Sequence, residues 1–494
     1  MSAAPHAPLV IGVDSSTQST KAAVVDRDTG RILGIGRAHH TVTGTGGARE
    51  SDPEQWWHAL AEAVSAALKE AGVRAGAVTA VAVAGQQHGL VALDAAGRPV
   101  RPAVLWNDTR SAPQAAALTA ARGADWWLAR TGSVPVASIT ATTWQWLREH
   151  EPRAVDATAA LRLPHDYLTE RLAGVAATDP GDASGTGWYS TATGAYDPEI
   201  LQLLHIDKEL LPGIAPAGAT RVGALTAAAA AHLGLPAGIA VAAGTGDNMA
   251  AAVGLGLGAE GLLDHPVVSL GTSGTVFAAT RARPASPGIN GFAAADGTFL
   301  PLGCTLNCTL AVDRIAALLR LDREDAAPGG PAVLLPYLDG ERTPDLPDAS
   351  GLLTGLRHAT TPQQLLGAAY EGAVFTVLRA LDELLAACGA DPYAPDIASR
   401  PLRLIGGGAQ GRTWVETVRR LSGRPVLLPA ATEPVALGAA ALAAGAVTGA
   451  GPVAVATSWG VAEARELPPV ERDLESWARI DDVLRQTFVR KWSP

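Results

Sequence analysis

A chain of 494 residues is long enough for two large domains or three ordinary ones, and 48% hydrophobic against 17% charged residues is the composition of a compact globular protein, which excludes disorder. Its 38 basic and 48 acidic residues give a net charge of -10 with no lysine- or arginine-rich run, which excludes an electrostatic footprint for nucleic acid or for an anionic membrane surface. Three cysteines make no disulfide framework in such a length, and Cys304 with Cys308 lacks the histidines or second cysteine pair of a zinc set, so core packing is their expected role.

The opening MSAAPHAPLVIGVD has no basic stretch followed by a long apolar segment and cleavage site, so a cytoplasmic location is expected. From Leu9 to His40 the chain reads as a meander of three strands, LVIGVD, KAAVVD and RILGIGRAHH, joined by the turns SSTQST and RDTG. Ser51-Asp-Pro-Glu54 reads as a capping box with an early proline, and Trp57, Leu60, Val64 and Leu68 recur at helical spacing until Gly72. VTAVAVAGQQHG follows as a short, doubly buried strand whose polar end lies where α/β proteins bind ligands. IAVAAGTGDNMAAAVGLG then runs from strand through a glycine-rich turn into a helix.

A weaker echo of the opening begins at Val267, where VVSLGTSGTVFAAT reads strand, turn, strand, and PLRLIGGGAQG supplies a later strand. Two related α/β halves account for this, with domains expected over 1–256 and 257–450 and a helical extension over 451–494. The apolar tract after Val435 is rich in Ala and Gly and broken by Pro452, which suits buried helix packing better than a bilayer span, so no membrane partner is expected.

Common nucleotide motifs are absent or incomplete. None of the four lysines, Lys21, Lys69, Lys208 and Lys491, follows a glycine, so there is no Walker loop. Gly406, Gly408 and Gly411 satisfy G-x-G-x-x-G after a strand, but the next strand lacks the acid that would hold a ribose, which leaves close approach of a helix N-terminus to a nucleotide as the better use. A Gly-x-Ser-x-Gly elbow is missing, so serine hydrolase chemistry has no anchor.

Phosphoryl transfer needs hydroxyls and backbone N–H groups for phosphates, carboxylates for magnesium, and a carboxylate to take the acceptor's proton. Asp14 closes a buried strand ahead of Ser15, Ser16, Thr17, Ser19 and Thr20, with Lys21 after them. That turn suits phosphate with Mg2+ held through Asp14, or is an ordinary Asx-type turn. Asp247, where strand meets helix, is either a general base or a helix cap. Gly271, Thr272 and Ser273 form a second phosphate cradle or a plain hairpin turn.

These segments, in this order, resemble the nucleotide and catalytic motifs of the FGGY sugar kinases of the actin-like ATPase superfamily. GLLTGLRHATTPQQLLGAAYEG is similar to that family's C-terminal signature, with Gly355, Leu356, Gln364, Leu365, Ala368 and Glu371 in matching places. The resemblance spans Ile11 to about Ala444. It implies two actin-like (ribonuclease H-like) α/β ATPase domains with an interdomain cleft that closes to exclude water. AGQQHGLV, AVLWNDTRS, LPHDYL, DASGTGW and LPYLDGERTP resemble members that act on a pentulose. The implied reaction is ATP-dependent phosphorylation of D-xylulose, with other FGGY acceptors such as ribulose or glycerol as the alternative.

Carried over by position, Asp247 is the implied base and Asp14 the acid near metal and γ-phosphate. Gln87, His88, Trp106, Asn107, Asp108 and Asn248 are the implied sugar contacts. Thr17, Ser19, Lys21, Thr272 and the turn Gly407, Gly408, Ala409 are the implied ATP contacts. Gln87 and Thr143 depart from the pattern, which has methionine and lysine there. A regulator that binds ATP and sugar without transfer is opposed by Asp14 and Asp247, and a chaperone-like ATPase by the lack of a separate peptide-binding β domain. The oligomeric state is left open, a homodimer included.

Overall fold

The computed structural model describes residues 8–489 apart from 138, 219, 260 and 285. The first residues read for export and the end of the expected C-terminal extension therefore lie outside the described residues. The chain forms two compact units: Met1–Ala259 with Gly291–Leu300 and Ala431–Ala462, and Glu260–Asn290 with Pro301–Ala430 and Glu463–Pro494.

In the first unit, β1 (Leu9–Ser15), β2 (Ser19–Asp26) and β3 (Ile32–His39) form the antiparallel meander read from the sequence. β1 also pairs in parallel with β4 (Val78–Gly85). Beyond β4 come β5 (Arg221–Ala224) and β6 (Ala240–Ala242), in the order β5-β6-β4-β1-β2-β3, while β7 (Thr245–Gly246) pairs with the last residues of β4. Every residue of β1 is buried, because the sheet is covered on both faces. Ile11 and Val13 point to the core shared with Trp57, Leu60 and Val64 of the helix Pro53–Ala71. Alternation sends Gly12 to the other face, against the helix Pro434–Thr448. A Cβ at Gly12 would lie 2.0 Å from Ala436 O, so the backbones meet there without a side chain between them. Gly438 plays the same part between helices: its Cβ would lie 1.8 Å from Ala250 O in the helix Asp247–Gly254.

The helix Pro53–Ala71 starts one residue later than a capping box at Ser51 requires. Pro53 takes the first helical position, so Asp52 is the cap and its carboxylate accepts from Glu54 N. Ser51 Oγ instead donates to Thr41 O at 3.0 Å and accepts from Trp56 Nε1, and Glu54 accepts from Tyr167 Oη. The helix ends at Gly72, in the left-handed region at φ 64°.

The second unit is built on β8 (Val267–Leu270), β9 (Gly274–Phe277), β10 (Phe299–Thr305), β11 (Leu402–Ile405), β12 (Val426–Pro429) and β13 (Ala464–Leu467), in the order β10-β9-β8-β11-β12-β13. β8, β11 and β12 run parallel, with antiparallel strands at each flank. The long helix Pro362–Ala387 carries Leu366, Phe375 and Leu381 into this unit's core and opens on a capping box of Thr361 and Gln364. The three cysteines are buried and unbridged, and among the described residues no cluster of metal-ligating side chains occurs.

The units are not contiguous in sequence. Residues 431–462 group with the first unit because the helix Pro434–Thr448 packs on β1 and β4, and Trp459 Nε1 donates to Arg27 O at 2.9 Å. Residues 463–489 group with the second, where β13 is an edge strand and Ile480 and Leu484 of the helix Leu474–Leu484 enter the core. Residues 451–489 are thus not purely helical; four residues of edge strand leave too short an alternation to read from sequence. Among the described residues no single helix is long and apolar enough to cross a membrane; Pro434–Thr448 and Pro452–Ser458 pass that test only as a pair bent by 108°.

Candidate active site

Three strand ends meet at one edge of the first unit's sheet. Asp14 pairs with Ala84 across β1 and β4, and Thr245 pairs with the same Ala84 across β7 and β4. Asp14 on β1 and Asp247 just after β7 therefore flank the end of β4, which runs on into Gln86, Gln87 and His88. The apolar strands drive this register, and the polar residues that follow them have nowhere to go but the open edge.

Asp14 is 6% exposed. Burial pushes its carboxyl up to about 6, against the pull of Lys21, whose Nζ lies 3.7 Å from Oδ2. Lys21 is shared with Glu433 Oε2 at 2.6 Å, at the start of the helix Pro434–Thr448. The intervening turn is closed by Ser16 N donating to Ser19 O, with Ser15 Oγ and Thr20 Oγ1 3.3 Å apart. Thr17 Oγ1 accepts from Trp106 Nε1 at 3.0 Å, which joins a residue expected at phosphate to one expected at the sugar. Ser19 opens β2 and is partly exposed.

Asp247 is the first residue of its helix, and Oδ1 accepts from Asn248 N at 2.8 Å and Asn248 Nδ2 at 3.0 Å. Burial raises its carboxyl to about 7, helped by the negative charges of Asp14 and Asp182. Such a value suits a group that must lose and regain a proton near neutrality. Asn248 Nδ2 also donates to Gln87 Oε1 at 2.8 Å, so one amide ties Gln87 to the carboxylate. His88 is held at φ 66°, outside the range most side chains adopt. Its Nδ1 donates to Gly185 O at 2.8 Å, which places a proton on Nδ1 because a carbonyl only accepts.

Asn107 Oδ1 is buried without a hydrogen-bond partner among the described residues. Asp108 behaves differently from its neighbours: Oδ1 accepts from Arg110 N and Nε, and Oδ2 from Arg49 N at 2.7 Å and Arg110 Nη2. Both oxygens are thus engaged in shaping the loop that presents Trp106 and Asn107.

In the second unit, Gly271, Thr272 and Ser273 form the turn after β8, and Gly407, Gly408 and Ala409 lie in a single 3-10 turn after β11. The two strands are parallel neighbours, so both turns share one end of that sheet. Gly408 lies against Leu270, and Thr309, which opens a helix, donates to Gly271 O from N and Oγ1.

Gln86, Asp182, His165 and Glu433 were not singled out from the sequence. Gln86 is 1% exposed with both amide atoms unpartnered among the described residues, and Asp182 bears electrostatically on Asp247. Asp182 and His165 fall in DASGTGW and LPHDYL, which were noted only for their resemblance. Glu433, an acid ahead of a proline-led helix, carries no local signal.

Models of the FGGY family of carbohydrate kinases match residues 9–254 with the N-terminal domain and 267–447 with the C-terminal domain. The chain is 58% identical to a xylulose kinase of Streptomyces rubiginosus over 98% of its length and 97% of the relative's. The chain belongs to the FGGY family of carbohydrate kinases. It is 32% identical to a xylulose kinase of Escherichia coli, with 84% of this chain and 85% of that one covered. The crystal structure of the xylulose kinase from Bifidobacterium adolescentis superposes with a TM-score of 0.81 at 33% identity, covering 96% of this chain and 99% of the other. The two-domain α/β fold expected from the sequence is the fold of these FGGY kinases.

Proposed function

We propose that this chain transfers the γ-phosphoryl group of ATP to the primary hydroxyl of D-xylulose, giving D-xylulose 5-phosphate and ADP, with Asp247 as general base. The observation that carries the reading is Asp247 itself: a carboxylate at the sheet edge, oriented by Asn248 and raised to about 7, beside Asp14 on the next strand end but one. In the ionised form its Oδ2 would take the proton of the attacking hydroxyl as the O–P bond forms and the bond to the ADP oxygen breaks. The choice of acceptor is supported by the 58% identity to a xylulose kinase.

Gln87, His88, Trp106, Asn107 and Asn248 would contact the sugar, and Asp108 would shape their loop. In the first unit Thr17, Ser19 and Lys21 would contact the phosphates of ATP; in the second unit Gly271, Thr272, Ser273, Gly407, Gly408 and Ala409 would be the nucleotide contacts. Asp14 fits a magnesium ion bound with the nucleotide, because Oδ1 is buried without a hydrogen-bond partner among the described residues, and Mg2+ commonly takes one or two carboxylates plus water and phosphate oxygens. When bound, the ion offsets negative charge on the phosphates. The cytoplasm, which supplies ATP, is the compartment for this reaction.

The test is ADP release with ATP and Mg2+ over a panel of D-xylulose, D-ribulose, L-ribulose and glycerol. D-xylulose should give the highest kcat/KM. A higher value with another acceptor would move the assignment to that polyol, and no ADP with any would leave a non-catalytic binder.

A further inference from the structure

Beneath the ends of β4 and β7 lies a buried ionic group, His165, Asp166, Asp179 and Asp182, none of them more than 4% exposed. The proton transfer proposed above uses none of these side chains. His165 Nδ1 is 2.6 Å from Asp182 Oδ2, while Nε2 lies 3.3 Å from Asp166 Oδ1 and 3.7 Å from Asp179 Oδ1. Burial raises the Asp182 carboxyl to about 7, so above neutrality it is ionised and Nδ1 donates to it. Nε2 makes no hydrogen bond among the described residues, yet a lone pair facing two ionised carboxylates would be repelled and an N–H attracted, so the charges around the ring favour protons on both nitrogens.

The cluster reaches the proposed site through short links. Asp179 Oδ2 accepts from Thr245 Oγ1 at 2.8 Å, two residues ahead of Asp247. Asp182 Oδ1 lies 3.1 Å from where a Cβ on Gly246 would stand, and Gln87 Cγ lies 2.7 Å from the same point. The chain that carries Asp182 continues to Gly185, whose carbonyl accepts from His88 Nδ1.

We propose that His165 is a positioning residue for phosphoryl transfer: an imidazolium at neutral pH that ties Asp166, Asp179 and Asp182 together and so sets the Thr245–Asp247 junction and His88. This rests on the reading of Asp247 as the base. The groups that bear on the cluster are Arg162, which attracts Asp166, and the hydroxyls of Tyr196 and Tyr189, near Asp166 and Asp179. Asp247 itself feels Asp14 and Asp182. Burial alone would lower His165, but Asp166, Asp182 and Asp179 outweigh it and lift the ring to about 9.

The direct test is nitrogen NMR of the full chain with labelled histidine at about pH 7.5, where an ordinary histidine of pKa about 6.5 is mostly neutral. One ring should remain doubly protonated and vanish from the spectrum of His165→Gln or, if that variant does not fold, be perturbed in Asp182→Asn. A neutral His165 overturns the proposal. In turnover, His165→Gln should cost kcat on the order of tenfold and move the acidic limb of the pH profile up, by about one unit for a lost nearby cation. Asp182→Asn should move that limb down, because a like charge beside Asp247 is gone. A purely structural role would not give opposite shifts; shifts of the same sign, or a wild-type profile in His165→Gln, refute the idea. Full activity in Asp247→Asn would strike the proposed base alone, since the NMR state of His165 is read without turnover.

Discussion

Replacing Asp247 with asparagine separates its proton chemistry from its place in the fold. Asparagine keeps an oxygen where Oδ1 accepts from Asn248 N and Nδ2 at 2.8 and 3.0 Å, so the start of the helix loses no bond. It also removes a carboxylate that burial and the charges of Asp14 and Asp182 make costly to ionise, so the melting temperature should hold or rise. What disappears is the acceptor for the sugar's proton, worth about 10² to 10⁴ in rate. At about 1.36 kcal/mol per decade this is roughly 2.7 to 5.4 kcal/mol of barrier. Coupled ADP release should show that loss in kcat, while fluorescence titration finds ATP affinity unchanged within about threefold, or about 0.65 kcal/mol. Turnover near the wild-type rate would refute the base assignment. A parallel loss of ATP affinity would show that Asp247 serves the nucleotide instead.

The pH dependence follows from the same carboxylate. Because Asp247 titrates at about 7 and only its ionised form accepts a proton, kcat/KM should be level above that pH and fall about tenfold per unit below it, as an initial-rate series would show. Gln87→Met deletes the acceptor of the Asn248 amide and leaves that amide bonded to Asp247 alone. One hydrogen bond of about 0.5 to 1.5 kcal/mol should cost roughly 2- to 12-fold in kcat/KM for D-xylulose, and an unchanged value would remove Gln87 from the orientation of the base. Gly438→Ala tests the helix contact through its sign. In an open helix the change stabilises by up to about 1 kcal/mol, but here the new Cβ would stand 1.8 Å from Ala250 O, so thermal denaturation should show a loss of about 1 to 3 kcal/mol or more.

Much of the site was legible because its residues follow apolar strands. Short apolar runs ended by polar turns mark β1, β4 and β8 in the sequence, and the acids and hydroxyls at their ends fall at a sheet edge. The roles within that set were less legible. Nothing in AVLWNDTRS tells Asn107, with a buried unpartnered oxygen, from Asp108, whose oxygens are taken by Arg110 and Arg49 N. The partner of Lys21, Glu433, is 412 positions away, beyond any spacing rule.

The amino-acid order by itself determined the opening meander, the helix after it, the acid-bearing turns at Asp14 and Asp247, and the family to which those motifs point, since each depends on neighbours a few residues apart. Only the tertiary structure decided that residues 431–462 return to the first unit and that Ala464–Leu467 is an edge strand of the second. It alone brought Asp182 and His165 beneath Gln87 and Thr245. The reason is physical: close backbone contact at Gly12 and Gly438, and the contacts within a buried cluster of one histidine and three carboxyls, are settled by packing between segments that the chain keeps far apart.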